Sequence, residues 1–81
     1  MANQYYECEF AKGTEDNYTS NGYSICIVAK REPTLEEATE FLKQDLEYIG
    51  YDFVSNIFPL TYEEAHDMFD MDNEENFPVF E

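Results

Sequence analysis

Positive charge is what this sequence has least of. Among 81 residues only Lys12, Lys30, Arg31 and Lys43 are basic, and from residue 44 onward there is no Lys or Arg. Binding to nucleic acid depends largely on Lys and Arg displacing counterions along the phosphate backbone. Four scattered cations cannot line such a groove, which argues against a direct nucleic-acid ligand and equally against an anionic membrane surface. Tryptophan is absent and histidine occurs once. Gly13, Gly22 and Gly50 stand apart from one another, so there is no Gly-rich phosphate loop. No stretch approaches the roughly 18 consecutive apolar residues of a membrane span. The opening Met-Ala-Asn-Gln-Tyr-Tyr lacks the basic and apolar regions of a signal peptide. A cytoplasmic setting follows as the expectation. In it Cys8 and Cys26 would be reduced thiols in or near the core, with a disulfide between paired strands as the alternative.

Negative charge is abundant. Nineteen acids set the formal charge at -15, and eleven of them fall after residue 43. Self-repulsion of this size weakens a compact state, and its field draws cationic partners to the surface. A net charge of about 2 to 8 in magnitude suffices to keep a small domain soluble. The excess leaves two readings open, a solvated surface alone and a role in binding a basic surface. Seven Tyr, seven Phe and a hydrophobic content of 43% separate the chain from disordered acidic tails, which are poor in aromatics.

The hydrophobic pattern predicts one α+β domain over residues 1–70, followed by an acidic, aromatic tail over 71–81. Residues 4–11 alternate, with Tyr6, Cys8 and Phe10 on one side and Tyr5, Glu7, Glu9 and Ala11 on the other, as in a strand with one wet face. Residues 12–22 read as a polar loop that turns at Asn21-Gly22. Residues 23–30 are more evenly apolar and read as an inner strand antiparallel to the first. Thr34-Leu35-Glu36-Glu37 is a capping box. It opens a helix over 35–49 whose apolar stripe is Leu35, Ala38, Phe41, Leu42, Leu46 and Ile49, with Gly50 as its left-handed stop. A third strand over 51–58 should close at Pro59. Thr61-Tyr62-Glu63-Glu64 is a second capping box and starts a short helix, about 62–69, expected to bury Tyr62, Ala65, Met68 and Phe69. The order is ββαβα. It implies a two-layer domain with a three-stranded, mostly antiparallel sheet and helices on one face, a fourth strand forming if Phe77–Phe80 docks at an edge.

The inventory for catalysis is poor. His66 is expected on a helix surface among acids, with neither the partner nor the pocket that a general base needs. Cys8 and Cys26 lie on strands, away from any helix N-terminus or cation that would lower a thiol pKa. No Cys and His spacing makes a zinc site. Asp70, Asp72, Glu74 and Glu81 match positions 1, 3, 5 and 12 of a calcium-binding loop, but Glu75 stands where the sharp turn requires glycine. The reading is a protein that is not an enzyme and uses no metal or cofactor.

The acids are the candidates for function. Glu36, Glu40 and Glu47 share the helix face opposite the apolar stripe, with Glu37 beside it. A four-residue helical step rises ~6 Å, comparable with the spacing of phosphates along one DNA strand. Lys43 interrupts the row and is expected to pair with Glu40 or Glu47. Glu63, Glu64, Asp67 and Asp70 repeat the arrangement on the second helix, and Asp72, Glu74 and Glu75 extend it into the tail. Tyr18, Tyr48 and Tyr62 are candidate anchors, since interface hot spots favour Tyr, Trp and Arg.

Short length, the two acidic helix starts, many Tyr and Phe, and no catalytic constellation give the chain a general character that resembles the small acidic proteins of phages and mobile elements: anti-CRISPR proteins and the DNA mimics that block restriction. The resemblance implies an inhibitor in the cytoplasm of a bacterial host cell. Its partner would be a basic nucleic-acid-binding protein such as a CRISPR effector or restriction nuclease, whose groove it would occupy in place of DNA or RNA. A second reading is an accessory or adaptor protein that binds a host protein through its sheet edge or its C-terminal segment.

Overall fold

A computed structural model describes residues 4–20, 22–69 and 77–80. The chain folds as β1 (Gln4–Thr14), β2 (Asn17–Thr19), β3 (Ser24–Ala29), α1 (Leu35–Phe41), α2 (Lys43–Ile49), β4 (Phe53–Leu60), α3 (Tyr62–Met68) and β5 (Val79–Phe80). This is an α+β domain with a mixed sheet. β1 is central, pairing antiparallel with β3 on one side and with β4 on the other. β5 docks parallel on the free side of β3, with Val28 opposite Val79 and Ala29 opposite Phe80. The fourth strand anticipated from the Phe77–Phe80 segment therefore forms.

The hairpin runs further than its polar composition suggests. β1 extends to Thr14, and β2 returns along it, with Lys12 opposite Thr19 and Thr14 opposite Asn17. Most of the supposed 12–22 loop is thus strand and a tight turn at Glu15-Asp16. Polar residues are no obstacle there, because both faces of this extension are exposed. Gly13 has φ +120°, and a Cβ at this position would lie 2.4 Å from the carbonyl oxygen of Asn17. Only glycine permits so close a return strand. Gly22 has φ +76°, as a turn there requires, while Asn21 lies outside the described residues.

β4 also differs from expectation. It starts at Phe53 and continues through Pro59 to Leu60, with Pro59 opposite Tyr6. Among the described residues β4 pairs only with β1, and an edge strand tolerates a residue without an N–H. A bulge sits at Ser55: Glu9 faces Asn56, but Phe10 faces Val54. Ser55 Oγ donates to the Glu9 carbonyl at 3.3 Å, which satisfies a hydroxyl that the bulge turns inward.

Both capping boxes form. Thr34 Oγ1 accepts from the Glu37 amide at 3.1 Å and Thr61 Oγ1 from the Glu64 amide at 3.1 Å, and each Glu accepts from its Thr amide in return. Gly50 ends α2 with φ +82°. The 35–49 segment is not one uninterrupted helix: Leu42, at φ -101° and ψ 17°, separates α1 from α2. The Leu42 amide still donates to Ala38 O and the Leu46 amide to Leu42 O, both at 2.9 Å, so helical hydrogen bonds flank the break on both sides.

Ala38, Leu42 and Leu46 pack this rod onto the sheet face that carries Tyr6, Cys8, Phe10, Ile27 and Val54. Leu35, assigned to that stripe by spacing, is instead 47% exposed. On the opposite face Cys26 and Val28 are also buried. Ala11, placed on the wet side of β1 by alternation, is instead fully buried. The Tyr62 ring of α3 lies 6.0 Å from Tyr5, whose side chain points away from Tyr6. The sheet therefore carries helix on both sides rather than on one. α3 ends at Met68. It buries Ala65, and Phe69 just beyond it is half-buried, but Tyr62 and Met68 stand exposed, because about two turns of helix present only a narrow inward face. No helix among the described residues is long and apolar enough to cross a membrane.

Candidate functional site

The long helical rod places its acids on the outside. Glu36, Glu40 and Glu47 are exposed. Three adjoining hollows run along this side of the molecule, and Glu40 borders all of them. The first and largest, about 710 Å³, opens between α1, β4 and the hairpin tip. It is lined by Glu15, Tyr18, Leu35, Glu36, Thr39, Glu40, Phe53, Val54 and Ser55. The second, about 470 Å³, lies between α1 and Phe80. The third, about 300 Å³, brings Glu40, Lys43, Glu47 and Asp52 together below α2.

The floor of the largest groove is built by hydrogen bonds. The Thr39 hydroxyl donates to Leu35 O at 2.8 Å and accepts from the Val54 amide at 3.1 Å. It thereby joins α1 to an N–H of the edge strand that β1 does not reach. Tyr18 and Phe53 meet edge to face, with ring centroids 5.3 Å apart. Glu15, Thr39 and Phe53 carry no sequence signal of a site, and Leu35 has the spacing of a core residue. Glu15 and Phe53 are 38 positions apart, and nothing local announces that a hairpin turn and an edge strand will face the same helix.

Glu37 behaves differently from its neighbours. Arg31 donates Nη1 to its Oε1 at 2.9 Å and Nη2 to its Oε2 at 2.7 Å, and the Arg31 guanidinium lies 5.2 Å from the centre of the Phe80 ring. The hydrogen bond from Arg31, and next that from the Thr34 amide, hold the Glu37 carboxyl down to about 2. Glu37 is thus committed within the fold. Lys43 forms no ion pair with Glu40 or Glu47; among the described residues Arg31–Glu37 is the one salt bridge.

Among the described residues the remaining candidates do not gather with this row. Glu63, Glu64 and Asp67 lie on α3, exposed, and one Glu64 oxygen is held by its own cap. Asp70, Asp72, Glu74 and Glu75 lie outside the described residues. Tyr48 is 91% exposed on α2. Tyr62 is exposed and lies parallel to His66, with ring centres 6.3 Å apart. Cys8 and Cys26 are both buried and are not joined in a disulfide; burial pushes the Cys8 thiol up to about 12, which disfavours its thiolate. Among the described residues no cluster of His, Cys, Asp and Glu could hold a metal ion. Phe80 packs edge to face on Phe41 at 5.3 Å, so the C-terminal segment is engaged inside the fold. No protein-family model, curated protein or solved structure matches this chain.

Proposed function

We propose that this protein is a non-enzymatic inhibitor that occupies the basic nucleic-acid-binding groove of a host defence nuclease, such as a CRISPR effector or a restriction enzyme. The observation that carries the reading is the exposed row Glu36, Glu40 and Glu47 on α1 and α2. No cation among the described residues pairs with it, and a row of carboxylates about one or two turns apart offers Arg and Lys the charge pattern they meet on a phosphate backbone. Of the two routes open to the adaptor reading, the 77–80 segment already pairs with β3 and packs on Phe41, which leaves it the sheet edge at β4.

The test is binding to purified defence nucleases in competition with their DNA or RNA. Affinity is expected to fall at least tenfold or so as salt rises from about 0.1 to 0.5 M, because exposed charges are screened. Reversal of Glu36, Glu40 and Glu47 to Lys should abolish inhibition. Binding that ignores salt would rule out charge mimicry. Loss of binding on removing residues 76–81, with the helix carboxylates intact, would shift the choice to the adaptor.

A further inference from the structure

We infer that the groove between the hairpin tip and α1 receives an arginine side chain of the target protein, in preference to lysine. The inference rests on the reading just given and names the chemistry of its main contact. The groove is lined by three acids, Glu15, Glu36 and Glu40, together with the Tyr18–Phe53 ring pair and Leu35. Among the described residues no hydrogen bond or ion pair engages those three carboxylates.

The fold itself contains the template. On the neighbouring side of the same helix, Arg31 is forked onto Glu37 and lies over the Phe80 ring at 5.2 Å. A carboxylate of α1 and an aromatic ring thus already hold one guanidinium, supplied by the chain. The larger groove repeats that pairing of α1 carboxylate with aromatic ring, but among the described residues no Lys or Arg lines it. The chain favours cations over rings a second time, with the Lys12 ammonium 5.5 Å from the Tyr51 ring centre. A planar guanidinium can take a carboxylate through two parallel hydrogen bonds while its face lies on an aromatic ring; an ammonium supplies charge without the fork. Apolar walls beside the carboxylates suit the arginine stem, which buries its methylenes and keeps its head polar.

The experiment is an NMR titration of the intact protein with three blocked peptides that differ only in carrying two arginines, two lysines or two citrullines. The arginine peptide should shift the amides of Tyr18, Glu36, Glu40 and Phe53 saturably. The lysine peptide should bind about threefold or more weakly, and the citrulline peptide should leave these signals in place. The E36Q/E40Q variant should lose about tenfold in affinity for the arginine peptide, whereas E63Q/D67N on α3 should stay within about twofold as a control of equal charge. The unmodified protein answers the question even if a variant folds poorly. Equal binding of arginine and lysine peptides, with shifts on α3 as large as on α1, overturns the inference. So does an absence of groove shifts with the arginine peptide. In either case salt-sensitive capture of a nuclease would leave the broader reading standing, and salt-insensitive capture would remove both.

Discussion

At the scale of single residues, the chain separates acids that hold the fold from acids that face outward. Glu37 caps a helix and clasps Arg31; Glu7 accepts from Ser24 Oγ at 2.7 Å, Glu9 from Asn56 at 3.0 Å and Asp52 from the Gly13 amide at 2.7 Å. Glu36, Glu40 and Glu47 have no such duty. The distinction makes a pH prediction. The Glu37 carboxyl is held at about 2 in the fold against an ordinary value of 4.5. Its contribution to stability is therefore complete above that ordinary value and is lost as pH falls towards the folded one. The difference in melting temperature between the wild type and E37Q should be largest near about pH 6 and close to zero at about pH 2. A difference that stays constant over that range would show that the Arg31 fork does not bind the carboxylate as described. The comparison must be made between the two proteins, because acid also relieves the general repulsion in both.

At the scale of elements, the two capping boxes and the Gly50 stop were legible in the sequence because each is a local arrangement within a few residues. The break at Leu42 was not: neither Pro nor Gly stands there, and both flanking helical hydrogen bonds survive. Strand ends failed for a related reason. Proline was read as a terminator, but that rule assumes a neighbour on both sides, and Pro59 lies on an edge. The hairpin extension has the polarity of a loop, and polarity alone does not separate a loop from a ribbon exposed on both faces. Thr39 is the residue on which these elements converge, joining α1 to β4. Replacing it with Val leaves the Val54 amide without its acceptor, at a cost of about 1–3 kcal/mol. Chemical denaturation of Thr39→Val measures this, and a change within about 0.5 kcal/mol would mean that the helix-to-strand bond contributes little. The same variant should loosen the groove floor and weaken binding of the arginine peptide.

At the scale of the whole molecule, a formal charge of -15 opposes compactness while serving the proposed interaction. Added salt should therefore act in opposite directions on the two properties. Raising it from about 0.02 to 0.5 M should increase the melting temperature by roughly 5 °C as repulsion is screened, while affinity for a basic target falls. Thermal melting and binding measured on one preparation test the pair together. A melting temperature that does not move with salt would mean that the carboxylates are too far apart to repel one another appreciably, which would also weaken the case for a focused negative surface.

Sequence by itself determined the α+β class, the β1–β3 pairing, both helix starts and the acidic row on the long helix, because hydrophobic period, capping chemistry and charge are local properties. Only the tertiary structure decided which acids remain available. It matched Arg31 with Glu37 rather than Lys43 with Glu40 or Glu47, put α3 on the other face from the rod, and brought Glu15, Tyr18 and Phe53 to the edge of α1. Those outcomes depend on where distant segments meet, and a pattern with a period of a few residues carries no information about that.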